Sequence, residues 1–285
     1  MDIISIQSQV AYGHVGNCAA VFPMQLLGVD VLAVPTILLS NDPHYPTSHG
    51  GPLEADLLRG LLTGLREREV LRSCRYLLSG YFGTAANADV VADFAAEAKA
   101  GNPRLLYCCD PVMGDVDRGF FVDKDLPDLF RERLLGLADL ITPNQFEFEF
   151  LVGSPMRTIK DMAGGVDELR RRGARDVVVT GAQLAETPPG SLDVVAFQDA
   201  NIWRVTTPRL PIRPSGTGDL FTGVLVGCLV RGGALHESLA HAASATYAVL
   251  EDTMRAHACE MRIVRAAPRI VQPRRQFEAK MVRPE

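Results

Sequence analysis

The sequence has few basic residues and no long apolar run, and each shortage excludes a class of protein. Its 29 Lys and Arg residues are outnumbered by 34 Asp and Glu residues, giving a formal net charge of -5. Nucleic acid is therefore not the expected main partner, because binding a phosphate backbone needs a basic face. No run of about 18 uncharged apolar residues occurs, and the N-terminus lacks a basic segment followed by an apolar one, so we expect neither a membrane span nor a signal peptide.

Cysteine is scarce as well, and its spacing contains no CxxC pair. The six cysteines are Cys18, Cys74, Cys108, Cys109, Cys228 and Cys259. Most lie in apolar segments, which favours buried free thiols over disulfides or zinc ligands. We therefore expect a reducing compartment and a cytoplasmic protein.

Short apolar segments alternate with segments of helical spacing. The apolar segments end in small or polar residues, as buried strands of a parallel sheet do. After the first eight residues they read VDVLAVPT, RYLLSG, RLLYCCD, ADLITPN and DVVVTG, and the predicted helices are 16–27, 53–66, 85–100, 145–151, 160–172, 220–230 and 235–254. The alternation predicts βαβ units, hence an α/β fold with a mostly parallel sheet, in one domain over residues 1–285.

Two segments depart from this alternation. SLDVVAFQ and NIWRVTT, separated by DA, predict an antiparallel hairpin attached to the parallel sheet. The polar tail from Pro268 onward is expected to pack only loosely.

The segment SGTGD, followed by a long apolar helix, is the first candidate for chemistry. Gly216 and Gly218 allow backbone N–H groups to converge on an anion, and the start of a helix adds the positive end of its dipole. Asp219 then lies in the first turn, facing the crevice at the carboxyl ends of the strands. It is a candidate catalytic group, although an N-cap role explains the residue type equally well.

Two further strand ends carry acidic or amide groups. Asp110 ends an apolar strand before a proline, where it is placed for a metal–nucleotide complex or for capping a turn. Asn144 and Glu147 have the spacing of a helix capping box. Because the carboxyl ends of parallel strands share one edge, we expect these groups to face one crevice.

Two aromatic or imidazole positions give weaker signals. Tyr81 follows the strand in LLSGYFG, where its ring could stack on a planar ligand or pack in the core. His14, in the turn after the first strand, is interpreted as structural. The sequence contains no GxxxxGK[ST] loop, no GxGxxG after the first strand, and no HExxH or GxSxG motif, which argues against several other enzyme classes.

Taken together, IQSQVAYGHVGN, LLSGYFG, CDPVMGD, ITPNQFEFE and GTGDLFTG resemble the pyridoxal kinases of the ribokinase superfamily, in order and in spacing, over nearly the whole chain. The resemblance implies a three-layer α/β/α sandwich without a separate β-lid, usually as a homodimer. It implies phosphorylation of the 5′-hydroxyl of pyridoxal by ATP, with Mg²⁺ and often a monovalent cation such as K⁺.

The resemblance also assigns roles. Asp219 would be the general base, and the backbone N–H groups of Gly216, Thr217 and Gly218 would form the anion hole. Asp110 and Glu147 would serve Mg–ATP, largely through water. The substrate would be held by Ser8, Pro43, His44 and Tyr81. The remaining nucleotide contacts would be Thr142, Asn144, Thr180, Thr207, Pro208, Arg209 and Leu210.

Some positions depart from the family pattern. Pro43 and His44 replace a common Thr-Gln, and Thr180 stands where some relatives have lysine. Arg209 or Arg213 could supply the missing charge. It is left open whether Cys108 or Cys109 touches the substrate. Gly218→Val is expected to hinder closure of the anion hole, because a β-branched side chain can neither follow the glycine backbone nor leave room for phosphate.

Two other functions remain open. A hydroxymethylpyrimidine kinase shares the fold and the Gly-x-Gly-Asp chemistry, although it typically has a GxDxSGGAG-like N-terminus instead of SQVAYGHVGN. A low-turnover module that binds and delivers pyridoxal or its phosphate is the alternative from another class.

Overall fold

The computed structural model describes residues 1–283, and its centre is a ten-stranded sheet. The strands of the chain are β1 (Ile3–Val10), β2 (Val31–Leu39), β3 (Gly50–Pro52), β4 (Tyr76–Ser79), β5 (Leu106–Cys109), β6 (Gly114–Asp115), β7 (Gly119–Phe120), β8 (Leu140–Ile141), β9 (Asp176–Ala182), β10 (Ser191–Gln198), β11 (Asn201–Pro208) and β12 (Lys280–Val282). Strands β6 and β7 form a separate antiparallel ribbon, which we call the 114–120 hairpin.

The order across the main sheet is β12-β11-β10-β9-β8-β5-β4-β1-β2-β3. Strands β2, β1, β4, β5, β8 and β9 run parallel, whereas β3 and β10 to β12 are antiparallel additions at the two edges. The carboxyl ends of the six parallel strands therefore lie along one edge, which is where an α/β sheet binds ligands.

The helices are α1 (Asn17–Leu26), α2 (Ala55–Glu67), α3 (Ala85–Gly101), α4 (Leu126–Leu129), α5 (Gln145–Val152), α6 (Ile159–Arg171), α7 (Thr217–Val230), α8 (Leu235–Arg255) and α9 (Ala267–Val271). A π turn (Phe130–Leu134) follows α4, and 3-10 turns lie at Val70–Arg72 and Leu135–Leu137.

Two apolar clusters, one on each face of the sheet, hold the helices against it. One joins the sheet to α2, α3, α5 and α6, and the other joins it to α1, α7 and α8. Along β1, Ile4 and Ile6 belong to the first cluster and Ile3 to the second, because successive strand residues point to opposite faces. The result is the α/β/α sandwich that the family resemblance implied.

The structure confirms the predicted strands and the β10–β11 hairpin, which pairs from Ser191↔Pro208 to Gln198↔Asn201. The expectation of a loosely packed tail was wrong. Ile270 of α9 is fully buried, and β12 pairs with β11 through Ile202↔Val282. The apolar residues of the tail are too widely spaced to reveal this docking.

The thiol prediction holds in part. Cys74, Cys108 and Cys109 are buried, Cys18 and Cys228 are partly buried, and Cys259 is exposed, all without disulfides. Within residues 1–283, no helix is long and apolar enough to cross a membrane.

Candidate active site

Helix α7 begins at the ligand-binding edge of the sheet with a glycine that no other residue can replace without strain. Gly216 is its N-cap, in the left-handed region at φ 79°. A Cβ at this position would lie 1.9 Å from the carbonyl oxygen of His14. The loop between β1 and α1 (residues 11–16), which we call the N-terminal loop, therefore packs directly on the start of α7. The first backbone N–H groups of α7 have no intrahelical acceptor.

Of the two reasons expected for a glycine at position 218, the structure contradicts the one that rests on its backbone conformation. It lies in the first turn of α7, is exposed, and has an ordinary φ, so the expectation that valine could not follow its backbone is wrong. An ideal Cβ there meets nothing within 4 Å. What Gly218 contributes is open space beside the free amides.

Asp219 is held in the same first turn by a hydrogen bond from the other side of the cleft. The Gly16 N–H donates to its Oδ2 at 2.9 Å. Burial raises the pKa of Asp219; the Gly16 N–H opposes the rise, and the negative charge of Asp42 adds to it. A carboxylate with a raised pKa is a better proton acceptor, as general-base chemistry requires.

Gly16 also packs closely against Ser8, which places Ser8 near Asp219. Its φ is 53°, and a Cβ would lie 2.2 Å from Ser8 Oγ. Ser8 itself is buried near the end of β1. The hydroxyl of Ser8 and the carboxylate of Asp219 thus flank one glycine.

Asp110 lies just beyond the end of β5 and is buried at 4% exposure. The Thr222 hydroxyl lies 3.2 Å from Asp110 Oδ2 and 3.2 Å from Thr142 Oγ1. Burial raises the pKa of Asp110 well above its usual range, and the negative charges of Glu147 and Asp219 raise it further. The charges of Glu147 and Asp219 thus both act on Asp110.

Glu147 forms the predicted capping box with Asn144. Glu147 N–H donates to Asn144 Oδ1 at 3.0 Å, and Asn144 N–H donates to Glu147 Oε2 at 2.9 Å. Glu147 Oε1 also accepts from Met113 N–H at 2.9 Å, which ties the loop after β5 to α5. Burial raises the pKa of Glu147 to about 7, although these N–H donors favour its ionised form.

The three carboxylates lack a protein counter-charge. Within residues 1–283, no Lys or Arg forms an ion pair with Asp110, Glu147 or Asp219, and no three His, Cys, Asp or Glu side chains are grouped to hold a metal ion. Magnesium suits this donor set, because it keeps several waters and binds through one or two carboxylates together with phosphate oxygens.

The residues predicted to cover or contact the substrate lie in two further segments. Pro43 and His44 are exposed in the loop at residues 40–49, which we call the substrate loop. Tyr81 follows β4, and its carbonyl oxygen accepts from Thr36 Oγ1 at 2.6 Å. Burial raises the pKa of the Tyr81 hydroxyl, which therefore stays protonated as a donor.

The N-terminal loop is fixed from outside by Glu260. Glu260 Oε2 accepts from His14 N–H at 3.1 Å, and its Oε1 accepts from Tyr45 Oη at 2.6 Å. Burial lowers the pKa of His14, whose Nδ1 has no partner among the described residues. A partly buried imidazole whose backbone N–H is held by Glu260 fits the structural role predicted for His14.

The predicted nucleotide contacts lie along one side of the same edge. Thr180 N–H donates to the Pro143 carbonyl at 2.9 Å, next to the Asn144 cap. Thr207 and Pro208 end β11, and Arg209 N–H donates to the Gly190 carbonyl at 2.8 Å. Leu210 follows, partly buried.

Sequence reasoning missed several residues that shape the site. Thr222 follows Asp219 by one helical turn, a spacing that could have suggested it. Asp193 is fully buried and accepts from Thr187 and Thr206, and a lone acid inside an apolar strand was its signal. The ion pair between Arg213 and Asp117 had no local signal.

Known proteins share this architecture. The model of the family described as Phosphomethylpyrimidine kinase matches residues 73–262. Pyridoxal kinase PdxY of Leifsonia xyli is 41% identical over 99% of this chain and 100% of its own length. Pyridoxal kinase PdxY of Granulibacter bethesdensis is 40% identical over 99% of this chain and 100% of its own length.

A solved structure gives the same result. The pyridoxal kinase of Leishmania donovani, in complex with ADP and ginkgotoxin, superposes with a TM-score of 0.91 at 28% identity and covers 99% of each chain.

Proposed function

This chain belongs to the pyridoxal kinase family, and we propose that it transfers the γ-phosphoryl group of ATP to the 5′-hydroxyl of pyridoxal, giving pyridoxal 5′-phosphate and ADP. The observation that carries the proposal is the start of α7, where Asp219 lies in the first turn, beside free backbone N–H groups. Phosphoryl transfer needs a proton acceptor and an anion-binding cradle side by side.

In the proposed reaction, Asp219 accepts the proton of the 5′-hydroxyl as that oxygen attacks the γ-phosphorus. The bond from the γ-phosphorus to the bridging oxygen breaks, and ADP leaves with that electron pair. The N–H groups of Gly216, Thr217 and Gly218 stabilise the charge on the transferred phosphoryl oxygens. The raised pKa of Asp219 supports this role.

The substrate ring would lie between β1 and the substrate loop. Ser8 would hydrogen-bond the ring, Tyr81 would pack beside it, and Pro43 and His44 would cover it. The support is positional: Ser8 shares Gly16 with the proposed base, and Tyr81 follows the neighbouring strand β4.

The nucleotide would lie on the other side of Asp219. Thr142, Asn144 and Thr180 would contact phosphate or ribose. The adenine would lie against Thr207, Pro208, Arg209 and Leu210. Thr142 and Asn144 follow β8, Thr180 lies in the last half of β9, and the other four residues end or follow β11 at the ligand-binding edge.

Asp110 and Glu147 would hold Mg²⁺, chiefly through water. When bound, the ion neutralises phosphate charge. A monovalent cation such as K⁺ beside the anion hole is a further proposal, tested by comparing turnover in potassium and in tetramethylammonium salts.

The ionisation of Glu147 gives a prediction for magnesium. The folded-state pKa of about 7 exceeds the ordinary value of 4.5, so this carboxyl should weaken the fold as pH rises from about 4.5 to about 7. A divalent cation should reverse that effect. The Mg-dependent rise in Tm, with ADP present, should therefore be larger at pH 8 than at pH 6, and this pH dependence should shrink in Glu147→Gln. Equal pH dependence in both proteins would contradict the assignment.

The two arginines before the anion hole give another prediction. Arg213 already pairs with Asp117, and both side chains are about half exposed. If these arginines replace the charge that Thr180 lacks, Arg209→Ala/Arg213→Ala should raise the KM for ATP by about tenfold, with little change in the KM for pyridoxal. Arg104→Ala, at an exposed position before β5, is the control. An unchanged KM for ATP would refute the idea.

Two alternatives are tested in one assay. The family model that matches residues 73–262 favours a hydroxymethylpyrimidine kinase as second candidate. ADP release from Mg–ATP should be measured with pyridoxal, pyridoxine, pyridoxamine and hydroxymethylpyrimidine. Fastest turnover with pyridoxal supports the proposal, and fastest turnover with hydroxymethylpyrimidine supports the alternative. Binding of pyridoxal without any turnover would indicate a delivery module.

We further propose a cytoplasmic homodimer with one domain over residues 1–285. Strands from both halves of the chain share one sheet, which supports the single domain. Leu57 and Leu61, one turn apart on α2, are exposed apolar residues that a subunit contact would cover. Sedimentation measurements on the wild type and on Leu57→Asp/Leu61→Asp would test the dimer.

A further inference from the structure

The substrate loop and the 114–120 hairpin meet through a single imidazole. His44 Nδ1 lies 2.6 Å from Asp42 Oδ1, and His44 Nε2 lies 2.6 Å from Arg118 Nη1. Arg118 lies in the turn between β6 and β7, 74 residues away from His44 in sequence. The hairpin is thus attached to the loop that would cover the substrate.

Hydrogen-bond chemistry fixes the protonation state of this contact. A guanidinium has only donors and stays charged in proteins, so His44 Nε2 must be the acceptor. The imidazole is then neutral and carries its proton on Nδ1, which donates to the Asp42 carboxylate. A proton on Nε2 would place two donors and two positive charges against each other.

The surrounding charges leave Arg118 as the group opposed to protonation. Asp42, which is buried, also accepts from the His44 N–H at 3.1 Å, and its negative charge attracts a positive imidazole. On the hairpin, Asp115 accepts from the Arg118 N–H at 2.8 Å, and Asp117 pairs with Arg213. The Phe121 ring packs edge-to-face with the imidazole, with 6.3 Å between the two centroids.

The hairpin is held on two sides of the cleft. On one side its turn contacts the substrate loop through Arg118, and on the other it contacts the loop before the anion hole through Asp117. Asp115, Asp117 and Arg118 lie within four consecutive positions, so a release at His44 frees one side of the turn.

The base of the hairpin stays attached, because the Gly114 carbonyl accepts from Asn144 Nδ2 at 2.7 Å and Phe120 packs against Phe146 and Phe150. Protonation of Glu147, which accepts from the Gly114 N–H at 3.4 Å, acts on this base and is the same in the wild type and in His44→Gln.

We propose that His44 is a positioning residue whose neutral form fastens the 114–120 hairpin over the substrate loop, and whose protonation at Nε2 releases the hairpin. The effect on substrate binding rests on the proposed function. If the chain phosphorylates pyridoxal, a released hairpin leaves the pyridoxal site open. Acidification should then raise the KM for pyridoxal more than it lowers kcat, because the hairpin holds substrate without touching the reacting atoms.

The test uses a variant that keeps the hydrogen bonds and removes the titration. In His44→Gln, the amide oxygen can accept from Arg118 and the amide nitrogen can donate to Asp42 at every pH. Backbone hydrogen exchange of residues 114–120, corrected for intrinsic rates, should be measured between pH 8 and pH 5, the range in which histidine titrates.

In the wild type, we expect protection of the hairpin to fall by about tenfold on acidification, the size of one hydrogen bond to a charged group. His44→Gln should keep its protection at both ends of the range, and Arg118→Ala should lack it throughout. Nitrogen NMR of the His44 ring should show the Nδ1-protonated tautomer at pH 8.

Equal loss of protection in the wild type and in His44→Gln would overturn the proposal, as would an Nε2-protonated ring at pH 8. The exchange measurement needs no turnover. If the chain failed to phosphorylate pyridoxal while the hairpin still responded to His44, the proposed function would fail alone.

Discussion

Asp219→Asn should lower kcat by about two to four orders of magnitude, the range expected for losing general-base assistance. The amide oxygen can still accept the hydrogen bond from Gly16, which in the wild type is 2.9 Å long. The fold and the binding of nucleotide should therefore persist. The measurement is kcat for pyridoxal with saturating Mg–ATP, together with the rise in Tm caused by ADP.

Asp30→Asn is the matched control, because Asp30 is an exposed acid just before β2, at the end of the sheet opposite to the site. It should leave both kcat and Tm unchanged. Near-normal kcat in Asp219→Asn would contradict the base assignment, whereas loss of the ADP effect would show that the variant had lost its binding site.

Gly216→Ala should damage both the fold and the reaction. Its backbone conformation, at φ 79°, costs an L-residue on the order of 1–3 kcal/mol. The added Cβ would also meet the His14 carbonyl oxygen at 1.9 Å, so the N-terminal loop or α7 must move. We expect a Tm lower by several degrees and kcat/KM lower by at least about 100-fold, because a displaced α7 moves the amides and the base together.

Gly218→Ala tests the effect of filling the open space beside the amides without adding backbone strain. Its methyl group would stand in open space on an ordinary helical backbone, so the Tm should stay within about a few degrees of the wild type. Activity should still fall, because the methyl group occupies room beside the free amides. If the two variants lost stability equally, the left-handed cap at Gly216 would not be the feature that shapes the anion hole.

The sequence carries enough information to predict the parallel centre of the sheet. Buried parallel strands are short and apolar throughout, and RLLYCCD and DVVVTG have that form. The tail was predicted wrongly because its docking depends on single residues. Ile270 and β12 find partners far along the chain, on α8 and β11, and no periodic pattern encodes such contacts.

The site residues likewise fall into those that the sequence pattern predicts and those that it does not. Asp110, Glu147 and Asp219 could be placed together because each follows a predicted strand or begins a predicted helix at the same edge. The contact of His44 with Arg118 could not, since neither residue belongs to a regular pattern and 74 positions separate them. The role of Gly216 also needed coordinates, because its constraint comes from the carbonyl of His14.

The most direct test of the central claim is to identify the product. The purified protein should be incubated with Mg–ATP and either pyridoxal or 5′-deoxypyridoxal, and phosphorus NMR and mass spectrometry should follow the products. We predict that pyridoxal gives pyridoxal 5′-phosphate and ADP in a one-to-one ratio, and that 5′-deoxypyridoxal gives neither above background. ADP formation without pyridoxal 5′-phosphate, or phosphate on another oxygen, would contradict the account.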